Sequence, residues 1–208
     1  MATVTMVEMG ETGVQRALDA RLQACGLGAC VGLCLYETLA KIAVLVHVVL
    51  PQTFPAASGR APLTALPGKC ADTALMNALA EIKRSGGQVK TVRAALVGGA
   101  QIFTPPNSGS ADTSSLSRLE IGQRNVLALK EELGKIGIPI CAEETGGHGG
   151  RTVTLEARTG NVWVRPIGLP ERLLVSLGQS TVHPAASAMR PRSGGDRLVR
   201  EGTTIYGN

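Results

Sequence analysis

Two apolar runs, Val31–Tyr36 and Ile42–Leu50, stand a few residues apart near the start of the chain. Runs this short, rich in Val, Ile and Leu, read as buried strands, and the gap between them is the length of a hairpin connection. The second run carries one polar residue, His47, which is costly in an apolar strand unless it has a partner. Just before the first run lies a glycine-rich turn, Gly26-Leu27-Gly28-Ala29-Cys30. With the hairpin turn centred near Leu39, His47 faces Val31, one residue from Cys30. Facing residues lie only about 4.5–5.5 Å apart, so a thiol–imidazole hydrogen bond is within reach.

A thiol beside an imidazole is the core of cysteine-hydrolase chemistry. A free cysteine is only slightly ionised at neutral pH, and a neighbouring imidazole can take its proton and stabilise the thiolate. Gly26 and Gly28 let the backbone aim N–H groups outward. The Gly28–Ala29 stretch thereby becomes a candidate oxyanion site, with Ala29 N–H and Cys30 N–H as donors. The expected course is attack on an amide or ester carbonyl, a thioester on Cys30, and hydrolysis by a water that His47 activates. Taken singly, Cys30 reads as a small buried hydrophobe and His47 as a satisfied core histidine; the pairing favours chemistry.

The remaining segments frame that hairpin. Val4–Met9 reads as a first strand, and Glu11–Leu22 as either a helix or an irregular approach. Pro51 ends the second apolar run, and Gln52–Gly68 is a Pro/Ala/Ser/Gly loop. Asp72 is a candidate N-cap for a helix to about Arg84, with Ala74, Leu75, Ala78, Leu79 and Ile82 inward and Gly86-Gly87 at its end. Thr91–Val97 is a strand, Pro105–Ser117 a loop and Gln123–Ile136 a helix. Ile138–Ala142 is a short strand, and Arg151–Ala157 with Val162–Pro166 a hairpin. Residues 1–169 read as one domain and 170–208 as a mostly disordered, mildly basic tail.

Composition narrows the class. Aromatic residues make up 2% of the 208 and the net charge is +5, so a base-stacking nucleic-acid platform is not expected. No apolar stretch is long enough for a membrane-spanning helix, and the first residues do not read as a signal peptide, so the expected location is the cytoplasm. Five cysteines, an odd number, point to free thiols. The spacing of Cys25, Cys30 and Cys34 matches no common metal pattern, and neither metal nor cofactor is expected. His148, in the glycine loop 146–150, and His183 read as exposed. Asp112, Glu143 and Glu144 read as isolated carboxylates.

The ordered set of motifs resembles the chemoreceptor glutamine deamidases called CheD. Met9-Gly10-Glu11 is similar to that family's opening strand. Gly26-Leu27-Gly28-Ala29-Cys30-Val31 resembles its nucleophile turn, and His47-Val48-Val49-Leu50-Pro51 its histidine strand end. Asp72-Thr73-Ala74, Gly98-Gly99-Ala100 with Phe103, Ile121-Gly122-Gln123-Arg124-Asn125, and Gly146-Gly147 through Gly150-Arg151 with Thr159-Gly160 follow in the same order. The resemblance covers about residues 4–167. It implies an α+β fold, a three-layer α/β/β sandwich with mixed sheets. It implies deamidation of glutamines on chemoreceptor cytoplasmic helices, with Cys30 as nucleophile, His47 as base and a CheC-type phosphatase as partner. Two positions depart from the family. Ala29 replaces the usual serine. Ala24 stands where a threonine orients the histidine, so its backbone carbonyl is expected to accept the Nδ1–H of His47 instead. Two rival readings stand beside the enzyme: a catalytically weak CheD-like partner of a CheC-type phosphatase, and a cysteine hydrolase acting on a different amide.

Overall fold

The computed structural model describes residues 3–16, 19–53, 66–101 and 121–179. Phe103, Asp112, His183, the Pro105–Ser117 loop, most of the Gln52–Gly68 loop and the tail from residue 180 lie outside the described residues.

Ten strands and two helices are described: β1 (Thr3–Met6), β2 (Thr12–Gln15), β3 (Ala20–Leu27), β4 (Val31–Glu37), β5 (Ile42–Val48), α1 (Ala71–Arg84), β6 (Val92–Gly98), α2 (Ile121–Ile136), β7 (Ile140–Thr145), β8 (Arg151–Glu156), β9 (Asn161–Pro166) and β10 (Arg172–Ser176). They form two five-stranded sheets, a central one ordered β2-β5-β4-β6-β7 and an outer one ordered β1-β3-β8-β9-β10. Each is mixed, because β6 runs parallel to β7 and β1 parallel to β3 while the other pairs are antiparallel. The helices cover one face of the central sheet and the outer sheet covers the other. This is the α+β sandwich in three layers.

The near-continuous apolar sequence of β4 and β5 follows from this arrangement, since a strand in the middle layer is buried on both faces. Alternate residues serve two cores. Val31, Leu33, Leu35, Val44, Val46 and Leu96 pack under the helices. Cys34, Tyr36, Ala43, Leu45, Ala95 and Val97 pack against Leu22, Val153, Leu155 and Val164 of the outer sheet.

Several expectations are corrected. The ambiguous Glu11–Leu22 stretch contributes β2 and the start of β3; β2 lacks a wide apolar stripe because it is a half-buried edge strand. Cys70, not Asp72, is the N-cap of α1, and the Asp72 carboxylate instead accepts from Thr53 N–H and Oγ1, at 2.9 and 2.8 Å. The chain does not leave the fold at Pro170. β10 pairs with β9 and Leu177 is buried, so the sandwich continues through the first residues of what reads as tail.

The hairpin register also differs from expectation. The connection holds four residues, Thr38 to Lys41, with Lys41 in the left-handed region (φ 53°) and Glu37 accepting from Ala40 N–H at 2.6 Å. His47 therefore faces Gly32, and Val31 faces Val48. A one-residue shift moves every side chain of a strand to the other face. Here it moves His47 onto the face that looks between the two sheets.

Candidate active site

Cys30 immediately precedes β4 and packs, half-buried, against the core between the sheets. His47 lies on the same face as Ala43 and Leu45, which belong to that core. The corrected register thus brings thiol and imidazole to one side of the central sheet, with only Gly32 opposite His47. A Cβ on Gly32 would come within 2.9 Å of Val153 Cγ1 and 3.1 Å of Leu27 Cδ1, so the outer sheet closes tightly over this position.

The turn itself is built by the end of β3. A bulge interrupts the β3–β8 register between Ala24 and Leu27, with Gly26 at φ 68°. Gly28 N–H then donates to Gly26 O at 2.8 Å. Gly28 N–H is thus consumed within the turn, and Gly28 adds no oxyanion donor of its own. The N–H groups of Ala29 and Cys30 have no backbone acceptor among the described residues. Three carbonyls of the turn accept long-range hydrogen bonds. Gly28 O accepts from Ala100 N–H (2.7 Å), Ala29 O from the side-chain amide of Asn125 (3.0 Å), and Cys30 O from Gly99 N–H (2.8 Å).

His47 is buried, and its Nδ1 lies 3.2 Å from Val7 O. That contact corrects the expectation for Ala24: the carbonyl that meets the imidazole belongs to Val7, on the segment that follows β1. Ala24 is buried in β3 opposite Val153. A carbonyl can only accept, so Nδ1 carries the proton and Nε2 keeps its lone pair. Nε2 is buried without a hydrogen-bond partner among the described residues. The expected hydrogen bond between thiol and imidazole is therefore not formed in the resting structure.

Both groups are held neutral. Burial lowers the His47 pKa below its usual 6.5, against weaker opposing effects of the Val7 carbonyl and Glu8. Burial raises the Cys30 pKa above 9.0, against a smaller pull from its own N–H. Since the thiolate is the alkylating species, Cys30 should react slowly with iodoacetamide at pH 6 and steadily faster through pH 9. Peptide mass mapping of the modified protein checks this; a fast, pH-independent reaction near pH 6 would mean a preformed ion pair.

Gly98 sets the floor of the site. Its φ is +116°, and a Cβ there would lie 2.3 Å from Cys30 O. Gly98→Ala should lower stability by about 2–4 kcal/mol in chemical denaturation and reduce turnover of the folded fraction, because the Cys30 carbonyl must move. Stability within 0.5 kcal/mol of wild type (about the scale of a neutral surface change) would show that the approach is not tight.

The other sequence candidates sit around this centre. His148 is exposed, with Nδ1 3.3 Å from Gln101 O, and the glycine loop is joined to Gly98 through Gly146 N–H (2.9 Å). Glu143 and Glu144 are not isolated: Glu143 pairs with Lys130 at 2.6 Å, and Glu144 with Arg151 at 3.4 Å and with Arg172. Cys34 is buried in the inter-sheet core, its pKa pushed up to about 12 by burial. Cys25 and Cys141 are exposed. Beside Gly99 opens a shallow groove of about 290 Å³, lined by Gly99, Gln123, Val126, Leu127, Thr145 and Gly146. Val7 and Asn125 escape a reading based on residue chemistry: one acts through its backbone, and the other lies far along the chain.

The profile of the CheD family, described as CheD chemotactic sensory transduction, matches residues 49–166. That is more than half of the chain. The chain belongs to the CheD family. It is similar to the probable chemoreceptor glutamine deamidase CheD of Syntrophomonas wolfei, 35% identical over 84% of this chain and all of that relative. It is also similar to proteins of the same description from Caldanaerobacter subterraneus (40% identical, covering 71% of this chain and 83% of the relative) and Pyrococcus abyssi (39%, covering 68% and 79%). The CheD profile match begins after both Cys30 and His47 and includes Gly98, Gly99 and Asn125. Among the described residues no helix is long and apolar enough to cross a membrane.

Proposed function

We propose that this CheD-family chain is a protein-glutamine deamidase that converts glutamines on the cytoplasmic helices of chemoreceptors to glutamate, using Cys30 and His47. The names of its relatives support the substrate. One observation carries the chemistry: a buried imidazole with Nδ1 anchored and Nε2 unpartnered shares a face with a thiol on a turn that presents two backbone N–H groups.

Because both partners rest neutral, proton transfer accompanies attack. Nε2 takes the thiol proton as sulfur adds to the glutamine carbonyl carbon, and Ala29 N–H and Cys30 N–H donate to the resulting oxyanion. The imidazolium then returns the proton to the leaving nitrogen. Ammonia departs and a thioester remains on Cys30. Water, deprotonated by Nε2, attacks the thioester, releasing glutamate and the thiol. The groove beside Gly99 suits apolar side chains flanking the target glutamine on a helix. The work would be done in the cytoplasm, without cofactor or metal.

Receptor cytoplasmic fragments and free glutamine, offered in parallel, test the substrate. A gain of about one dalton at discrete fragment glutamines, with little ammonia from free glutamine, is the expected result, since remote binding contacts must help drive the reaction. Ammonia from free glutamine alone would favour a hydrolase of small amides.

The lack of a thiol–imidazole hydrogen bond favours a second reading, a weak catalyst acting chiefly as partner of a CheC-type phosphatase. Slow turnover with all fragments, together with co-elution with such a phosphatase, would select it.

A further inference from the structure

α2 turns a stripe of Gly122, Val126, Leu129 and Leu133 toward the central sheet, and Asn125 is buried beside it. A buried amide costs stability unless bonded, and asparagine is a poor helix former. Its Nδ2 donates two hydrogen bonds, to Ala29 O at 3.0 Å and to Val49 O at 2.9 Å. Two carbonyls at one end of the side chain fix its amide orientation, because the reverse would set oxygen against oxygen. Oδ1 is buried without a partner among the described residues. A residue serving stability alone gains little from such a half-satisfied amide.

What Asn125 holds is specific. The peptide bond between Ala29 and Cys30 is trans, as are all the described peptide bonds, so its C=O and N–H point in opposite directions. Holding Ala29 O on the α2 side therefore aims Cys30 N–H the other way, toward the inter-sheet face against which Cys30 packs. The second bond reaches Val49, two residues beyond His47. One amide thus ties the nucleophile's turn to the end of the base's strand.

We propose that Asn125 is a positioning residue, which aims the Cys30 N–H at the oxyanion and fixes the turn relative to the His47 strand. The inference rests on the reading of Cys30 as nucleophile.

The test measures deamidation of a receptor cytoplasmic fragment by the full chain and by Asn125→Ala, Asn125→Leu and Cys30→Ala. Thermal melts and the rate of Cys30 alkylation at pH 9 are recorded for wild type and the Asn125 variants. Asn125→Leu fills the space of the amide and carries the test if Asn125→Ala does not fold. In the folded Asn125 variants kcat should fall about 10–100-fold, less than the ~10²–10³ for outright loss of an oxyanion donor. KM should stay within about twofold, because the contact matters in the transition state. Alkylation of Cys30 should change far less than kcat, since the Cys30 N–H pulls only weakly on the thiol and alkylation needs no oxyanion site. Unchanged kcat in a folded Asn125 variant, with Cys30→Ala inactive, overturns the inference while leaving the nucleophile in place. A parallel fall in alkylation and kcat also overturns it, by placing the effect at the thiol. Full activity in Cys30→Ala removes the reading beneath it.

Discussion

His47→Gln is expected to lower kcat on a receptor fragment by about 10²–10⁴-fold, the range for loss of a general base, with KM little changed. The imidazole has no evident substitute. Nδ1 is engaged with Val7 O, leaving Nε2 as the atom able to receive the thiol proton, and no other imidazole shares that face among the described residues. Because burial holds the thiol above its ordinary range, too little thiolate forms at neutral pH to bypass the base. The pH profile gives an independent readout. His47 must be neutral to act, and its pKa lies below 6.5, so wild-type kcat/KM should stay level down to about pH 6.5 and decline at lower pH. In His47→Gln that limb should vanish, and the remaining activity should rise with pH as the thiol ionises. A loss under tenfold, or an acid limb that survives the substitution, would contradict the assignment.

The hairpin at the centre of this site was legible because both strands occupy the middle layer, and burial on two faces leaves a continuous apolar signature. His47 stood out against that background. Its register was not legible, because a three- and a four-residue connection look alike in sequence; the difference lies in Lys41 adopting a left-handed conformation and in Glu37 capping Ala40. The helices α1 and α2 could be read from their apolar stripes, whereas β2 and β10 could not. Both are short edge strands that owe their order to pairing with β5 and β9.

At the site, residue chemistry exposed the thiol and the imidazole but not what holds them. The imidazole is anchored by a backbone carbonyl, and a carbonyl is present at every position of a chain. Ala24 drew notice because it departs from a familiar pattern, yet the structure solves the same problem from Val7, on the neighbouring segment of the outer sheet. The proposed oxyanion donors were half legible. The glycines marked the turn, but Gly28 N–H is consumed by Gly26 O, and only the long-range bonds to Ala100, Gly99 and Asn125 show which way the remaining N–H groups face.

Cys30→Ala has the largest expected effect, because it removes the atom proposed to form the thioester. Loss of a nucleophile in a catalytic pair leaves only what oriented binding and the oxyanion donors provide, a deficit on the order of 10⁶ in kcat in well-coupled sites. The alanine should be accommodated without unfolding, since Cys30 is half-buried and, among the described residues, has no disulfide or side-chain hydrogen bond to another residue.

The measurement that tests the account most directly is therefore intact-mass and peptide mapping of receptor cytoplasmic domains, incubated with the wild-type protein and with Cys30→Ala. Each converted glutamine adds about one dalton as nitrogen leaves and oxygen enters, and brief acid quenching should capture the acyl group of the substrate on the Cys30 peptide. The account predicts gains at discrete glutamines with wild type, an acylated Cys30 peptide, and neither with Cys30→Ala. Gains of equal size with folded Cys30→Ala would contradict it.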